Sequence, residues 1–160
     1  GNKSFSGDTS IANDLTISGS AKALFGANQI SVGGSFNGTA ANTDADEASF
    51  IYNGTDQTVA AVTYGNLTLA NSGTKTAGDV TVLGALINNS GVNFNAGAVK
   101  TATLDNQGNM TLSGSLHVTG EMKKTGVLTL NAQNNTWTAG ATLGGTVTNI
   151  MLCTRGKLSL

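Results

Sequence analysis

The chain has 160 residues, and its nine acidic and eight basic side chains leave a formal charge of −1 at neutral pH. Only 11% of the residues are charged, against about 25% in an ordinary globular domain. Nucleic acids and acidic membrane surfaces both bind clustered positive charge, so this composition argues against them as partners. The length suits one folded unit, and we predict a single domain over residues 1–160.

Glycine is abundant, proline is absent and Cys153 is the only cysteine. A lone cysteine forms no intramolecular disulfide and no zinc cluster, so packing and backbone pairing must stabilise the fold. Apolar runs such as residues 150–153 are short, and a membrane-spanning helix, which needs about 18 apolar residues, is not expected. Because the chain begins at Gly1 without a basic and apolar leader, we expect a mature exported protein, located extracellularly or at the cell surface.

Along the chain, one phrase recurs three times, starting at Asn13, Asn66 and Asn109. In each copy an apolar residue, a threonine and a second apolar residue lie between polar turn residues. The starting points lie 53 and 43 residues apart, so the spacing is not constant. The phrase predicts a short strand bounded by turns, and a looser second strand follows each copy.

Apolar residues alternate with Thr, Ser, Gly or His through the predicted strands, which places the apolar side chains on one face. The alternating pairs are, in chain order, Leu15/Ile17, Ile30/Val32, Leu67/Leu69, Val80/Val82, Met110/Leu112, Leu116/Val118 and Leu128/Leu130. Residues 40–48 tolerate a helix in composition, but they have no apolar stripe. The chain is therefore predicted to be all-β.

Two all-β architectures fit this pattern. In a β-solenoid, coils of about 20 residues stack on one another and enclose an apolar interior. The absence of proline suits this arrangement, because nearly every backbone N–H in the stack is needed by a neighbour. In a β-sandwich or jelly roll, the irregular spacing of the phrase causes no difficulty, and an extended terminal strand would link filament subunits. The recurrence favours the solenoid, with the sandwich as the alternative.

A family resemblance is carried by residues 64–76 and 78–86, with a lead-in at 52–59. This segment resembles repeats of large bacterial surface proteins of the adhesin and autotransporter-passenger type, and the likeness is weaker over 13–36 and 109–130. The resemblance implies an exported structural or adhesive protein, often a β-helix, and it brings no catalytic residues. Since this chain is shorter than most such proteins, we expect a fragment or a small subunit that polymerises.

Enzymatic chemistry has little support in the sequence. The single histidine, His117, is predicted on the outward face of a strand, and no nucleophile-elbow motif is present. Asp44, Asp46 and Glu47 offer hard oxygen ligands for calcium, but they lack EF-hand spacing, and a solvated acidic loop is the simpler interpretation. We predict no enzyme activity and no cofactor.

Surface chemistry leaves several alternatives open. Thr-x-Thr pairs at 74/76, 101/103, 136/138 and 146/148 are offset by 27, 35 and 10 residues, which share no period, whereas an ice-binding ladder needs register. Trp137 is expected to be a packing anchor, with sugar stacking as the alternative. Candidate glycosylation sequons, which turn and strand chemistry also explains, begin at Asn2, Asn37, Asn53, Asn66, Asn88, Asn109 and Asn134.

Both chain ends are predicted to take part in assembly. Residues 1–7 have the character of an extended N-terminal assembly strand, and the C-terminal segment is apolar. Open sheet edges invite another chain, and repeated head-to-tail pairing grows a filament. The alternative is that both ends pair within their own subunit. The candidate assembly residues are Lys3, Phe5, Ile150, Met151, Leu152, Leu158 and Leu160.

From these features we expect an exported structural protein. It would assemble with copies of itself, head to tail, into an extracellular filament or surface layer, or serve as an adhesin segment that contacts cell-surface glycans. The alternative function is a β-solenoid module that binds ice or a glycan.

Overall fold

The computed structural model describes residues 1–132, 135–137, 141–143, 147–148 and 158–159. All regular structure in these residues is β, and the strands are parallel and stacked in about seven turns. The fold is therefore all-β, as the alternation predicted, and it is the β-solenoid that the recurrence favoured and not the sandwich, whose sheets are antiparallel. The described residues contain no helix of the length and apolarity needed to cross a membrane.

Each coil contributes up to three short strand segments, and several strands continue around a bend. The strands are β1 Lys3–Ser4, β2 Thr9–Ile11, β3 Leu15–Thr16, β4 Ala23–Leu24, β5 Gln29–Val32, β6 Phe36–Asn37, β7 Thr43–Tyr52, β8 Gln57–Val59, β9 Thr63–Leu69, β10 Gly73–Ala77, β11 Val80–Asn88, β12 Val92–Ala96, β13 Val99–Asn106, β14 Asn109–Leu112, β15 Leu116–Val118, β16 Met122–Lys124, β17 Val127–Leu130, β18 Thr136–Trp137, β19 Ala141–Leu143, β20 Val147–Thr148 and β21 Leu158–Ser159.

Three parallel faces enclose the interior. Face A contains β1, β4, β15, β18 and the first halves of β7, β9, β11 and β13, whose second halves belong to face B with β2, β5, β16, β19 and β21. Face C contains β3, β6, β8, β10, β12, β14, β17 and β20. Between faces A and B the strand register shifts at the bend, for example between Val82 and Ala85.

The strand register shows how long one coil is. Paired residues in successive coils are separated by as few as 16 positions, from Asn93 to Asn109, and by as many as 21, from Thr9 to Ile30. The recurring phrase does not follow this period, because Leu15 and Met110 lie on face C and Leu67 lies on face B. Its spacings of 53 and 43 residues therefore join different faces and are not multiples of one coil.

The interior is filled by the residues that alternate along the strands. Six of the seven predicted apolar pairs, from Ile30/Val32 to Leu128/Leu130, are buried. The seventh, Leu15/Ile17, is only partly buried, because it belongs to the first coil. Aromatic rings fill the first half of the core, where Phe36 stacks on Phe50 with ring centroids 5.4 Å apart and Phe25 meets Phe50 edge-on. Burial of these side chains is the main stabilising contribution.

The corners between faces are tight and require glycine where coils touch. A Cβ atom on Gly126 would overlap the carbonyl oxygen of Gly108 in the preceding coil, and one on Gly54 would overlap that of Gly33. Glycine is the residue that permits such close backbone approach. The abundance of glycine in the sequence thus reflects stacked corners.

Candidate functional site

The first coil pairs with the rest of the described chain along one side. Within the described residues, β1, β2 and β3 each pair on one side only, with β4, β5 and β6 of the second coil. The backbone N–H groups of Lys3 and Phe5 donate to the second coil at 2.9 Å, so the N–H of Ser4 between them faces outward. By the same alternation, Leu15 and Ile17 donate to the second coil and the N–H of Thr16 faces outward.

Apolar side chains accompany these open edges. Phe5 stacks on Phe25 with ring centroids 4.5 Å apart, but Phe25 is fully buried whereas Phe5 is only partly covered. A parallel coil placed before the first one would bury this surface and pair the outward N–H groups. The partly buried apolar residues of the first coil are Phe5, Ile11, Leu15 and Ile17.

The predicted assembly residues are only partly within the described structure. Lys3 and Phe5 belong to the first coil, and because β1 pairs with β4 of its own chain, residues 1–7 do not project as a free strand. The first coil uses one of the two edges of β1, and the role of residues 1–7 as an assembly strand stays a prediction. Leu158 lies in β21 and pairs with Ala141. Ile150, Met151, Leu152 and Leu160 lie outside the described residues.

The acidic cluster lies in a strand and not in a loop. Asp44, Asp46 and Glu47 belong to β7, because the residues that alternate with them, such as Ala45, are buried. Lys22 donates to Asp44 Oδ2 at 2.9 Å, and this hydrogen bond lowers the pKa of Asp44. No group of three or more His, Cys, Asp or Glu side chains in the described part of the chain is arranged to hold a metal ion.

Other acidic side chains join successive coils at the corners. In each case a carboxylate oxygen accepts a hydrogen bond from a backbone N–H about one coil later in the chain, as Asp79 does from Ala98 at 2.8 Å. Such a charge-assisted bond satisfies an amide that the bend leaves out of the ladder. These acids therefore have structural partners and are not gathered into a catalytic group. In the same way, Asp8 accepts from the backbone N–H of Gln29, Asp14 from that of Ser35 and Asp56 from that of Thr74.

A polar seam runs inside the corner between faces B and C. Five successive coils each place one buried polar side chain there, pointing at backbone carbonyl oxygens or at the next member. The sequence analysis missed this seam, although the pattern Thr74-Lys75-Thr76, with two outward threonines, implied an inward lysine. The members of the seam are Gln57, Lys75, Asn88, Asn106 and Lys124.

Lys75 makes three hydrogen bonds within the seam. Its ammonium group donates to Gly54 O at 2.5 Å, Thr55 O at 2.6 Å and Ser72 O at 3.1 Å, which ties two coils together. Burial lowers the pKa of Lys75, and the nearby charge of Asp56 opposes that shift. Carbonyl oxygens alone thus hold a buried cation at this corner.

Asn88 and Asn106 continue the seam. The Asn88 amide donates to Asn106 Oδ1 at 2.8 Å, and the Asn106 amide donates to Val127 O at 2.9 Å. Asn88 Oδ1 is buried without a hydrogen-bond partner. Asn88 is fully buried, so its amide is not accessible in the folded chain, and its glycosylation stays a prediction.

The remaining sequons differ in accessibility from Asn88. Their asparagines are exposed, so they remain candidate glycosylation sites, apart from Asn134, which lies outside the described residues. The exposed asparagines are Asn2, Asn37, Asn53, Asn66 and Asn109.

Face C presents an uncharged outer surface. Its middle outward positions form one column in register, and the backbone of Thr148 pairs with the last of them. The column contains Thr58, Thr76, Asn95, Thr111 and Thr129. These threonines come from different motifs, so the unequal spacing of the Thr-x-Thr pairs did not reveal the column. His117 lies elsewhere, on face A, where it is half-buried beside Thr136. Trp137 pairs with Val118, also on face A.

The chain matches no protein-family model, and comparisons with curated proteins and with solved structures found no match. The resemblance to surface adhesins therefore stays a prediction, and the geometry above carries the functional argument.

Proposed function

We propose that this chain is a structural module of an extracellular filament or surface layer, which elongates when a second copy stacks a coil on its open first coil. The observation that carries the proposal is the set of three unpaired edges on β1, β2 and β3, together with the half-covered ring of Phe5. Within the described residues no cap covers this end.

The occupant of this end must be another parallel β-coil. Three edges on three sides of the interior are satisfied together only by a chain that follows the same triangular path, about 4.8 Å away. A single donated strand would pair one edge and leave the other two open. Solenoids without capping segments stack for this reason.

Charge does not oppose the contact. The charged side chains of the first coil are Lys3, Asp8 and Asp14. Both carboxylates already accept a hydrogen bond from a backbone N–H of the second coil. Like charges that faced one another across a stack would be destabilising. The low overall charge of the chain is consistent with repeated stacking.

Proline substitutions test the proposal without touching bonds within the chain. In Ser4→Pro/Thr16→Pro, each proline replaces an N–H that faces outward, and proline is tolerated at such edge positions. The matched control is Ser4→Ala/Thr16→Ala. Association is followed by sedimentation velocity over a range of protein concentrations and by negative-stain electron microscopy, and thermal unfolding reports whether each variant is folded.

We expect the native chain and the alanine control to form rods that lengthen with concentration, while the folded proline variant stays monomeric. A native chain that stays monomeric throughout would overturn self-assembly. Rods of the proline variant as long as native rods would show that the first coil is not the interface. If the proline variant unfolds, Ser4→Lys/Thr16→Lys replaces it, because two lysines on the same edge oppose strand pairing. A monomeric lysine variant would support the proposal, and rods of native length would overturn it.

A further inference from the structure

The edge of face C contains a groove that the assembly does not use. It has a volume of about 400 Å³ and crosses four successive coils, which at about 4.8 Å a coil gives a length of roughly 14 Å or more. Its polar lining comes from Thr76, Asn95, Thr111, Ser113 and Asn131, and its floor from Ala77, Gly78, Ala96 and Gly97.

The lining offers neutral hydrogen-bonding groups. Thr76, Asn95, Thr111 and Asn131 are exposed, and their side chains make no hydrogen bond within the described residues. Each hydroxyl both donates and accepts, and each amide supplies two donors and an acceptor. Ser113 is partly engaged, since its Oγ donates to Ala96 O at 3.2 Å.

The lining contains no charged side chain. An ionic ligand would lose hydration in the groove without gaining an opposite charge. A neutral ligand rich in hydroxyl groups finds complementary donors and acceptors along the whole length. The small floor residues leave room for such a ligand to approach the backbone.

We propose that this groove binds a neutral polysaccharide whose chain runs along the solenoid axis. The proposal rests on the proposed function, because it names the ligand class that the surface of such a module would bind. Repetition of the same chemistry in each coil suits a polymer, since successive units of the ligand meet equivalent groups.

Ice is the competing ligand for a threonine column. An ice plane needs a flat surface on which one residue type repeats, but Asn95 interrupts this threonine column. The adjacent outward column of face C is mixed as well, since it consists of Thr74, Asn93, Asn109 and the exposed Val127. Both features favour a polymer strand over a lattice.

Affinity electrophoresis tests the assignment. The full chain is run through gels that contain a soluble β-glucan, a mannan or a xylan, with polygalacturonate as the anionic comparison. The groove variant is Thr76→Ala/Asn95→Ala/Thr111→Ala, and the matched control is Thr63→Ala/Thr81→Ala on the outward side of face A. Thermal unfolding of each variant reports folding, and growing ice crystals are observed in the presence of the native chain.

We expect at least one neutral polysaccharide to retard the native chain and the control, with at least tenfold weaker binding by the groove variant. Absence of retardation in every neutral gel, native-like binding by the groove variant, or stronger retardation by polygalacturonate would overturn the proposal, as would faceted ice without polysaccharide binding. If the groove variant unfolds, Ser113→Leu, which places a bulky side chain at an exposed lining position, takes its place. Binding by the monomeric Ser4→Pro/Thr16→Pro protein separates this result from the assembly result.

Discussion

Replacing Lys75 with methionine tests the polar seam. Methionine keeps the length of the side chain but removes the three hydrogen bonds to Gly54 O, Thr55 O and Ser72 O. A lost partner costs about 1–3 kcal/mol for each group left without a hydrogen bond. Removal of a desolvated charge returns part of this cost, and the exposed corners at Thr55 and Ser72 admit water to their carbonyls. We expect a net loss of about 2–4 kcal/mol in the free energy of unfolding.

Urea denaturation of the native chain, Lys75→Met and the exposed control Lys100→Met provides the measurement. Because burial lowers the pKa of Lys75, the unfolded chain binds the proton more tightly. The native stability therefore rises with pH between the folded pKa and about 10.4, and the gap to Lys75→Met widens over that interval. A Lys75→Met variant within about 0.5 kcal/mol of the native chain, or a gap that narrows with rising pH, would refute the reasoning.

Three further predictions follow from the core and the corners. Tyr52 and Tyr64, the only tyrosines, bond to each other at 2.9 Å, and burial raises the pKa of both. The free energy of unfolding should therefore fall above about pH 10, by up to ~1.4 kcal/mol per pH unit for each ring. Tyrosinate absorbance should appear only as the chain unfolds, and gradual ionisation of the tyrosines in folded protein would contradict this. Gly126→Ala should destabilise by about 2 kcal/mol or more in urea denaturation, while Gly7→Ala, which has open space, should not; equal effects would exclude steric contact. Asp79→Ala should cost about 1 kcal/mol and Asp79→Asn less, because the amide keeps an acceptor; equal losses would point to charge instead.

The fold was largely predictable because its main signal is local. Leu67 and Leu69, or Met110 and Leu112, alternate with polar residues and are buried as the period of two requires. The coil length was not predictable from the recurring phrase, since copies of the phrase lie on two different faces. The phrase encodes a strand and its turns, and only the stacking decides which face it occupies.

The polar interior shows where sequence patterns stop being informative. Lys75 and Asn88 are inward because corner carbonyls and neighbouring amides need partners in three dimensions. The same residue types are outward at Lys100 and Asn109, in strands of similar composition. The acidic stretch was misplaced for the opposite reason: Asp44 and Asp46 suggested a loop, but the small residues between and after them pack inward and keep β7 continuous.

The variable spacing between coils has a consequence for how such a chain changes length. The three faces keep their alignment while the number of residues per turn ranges from 16 to 21, so the corners absorb every insertion. Because each coil touches only its neighbours, duplication or loss of one whole coil alters the rod by about 4.8 Å and leaves the rest unchanged. The length of the solenoid can therefore change in steps of one coil, through duplication or deletion of the gene segment that encodes a coil.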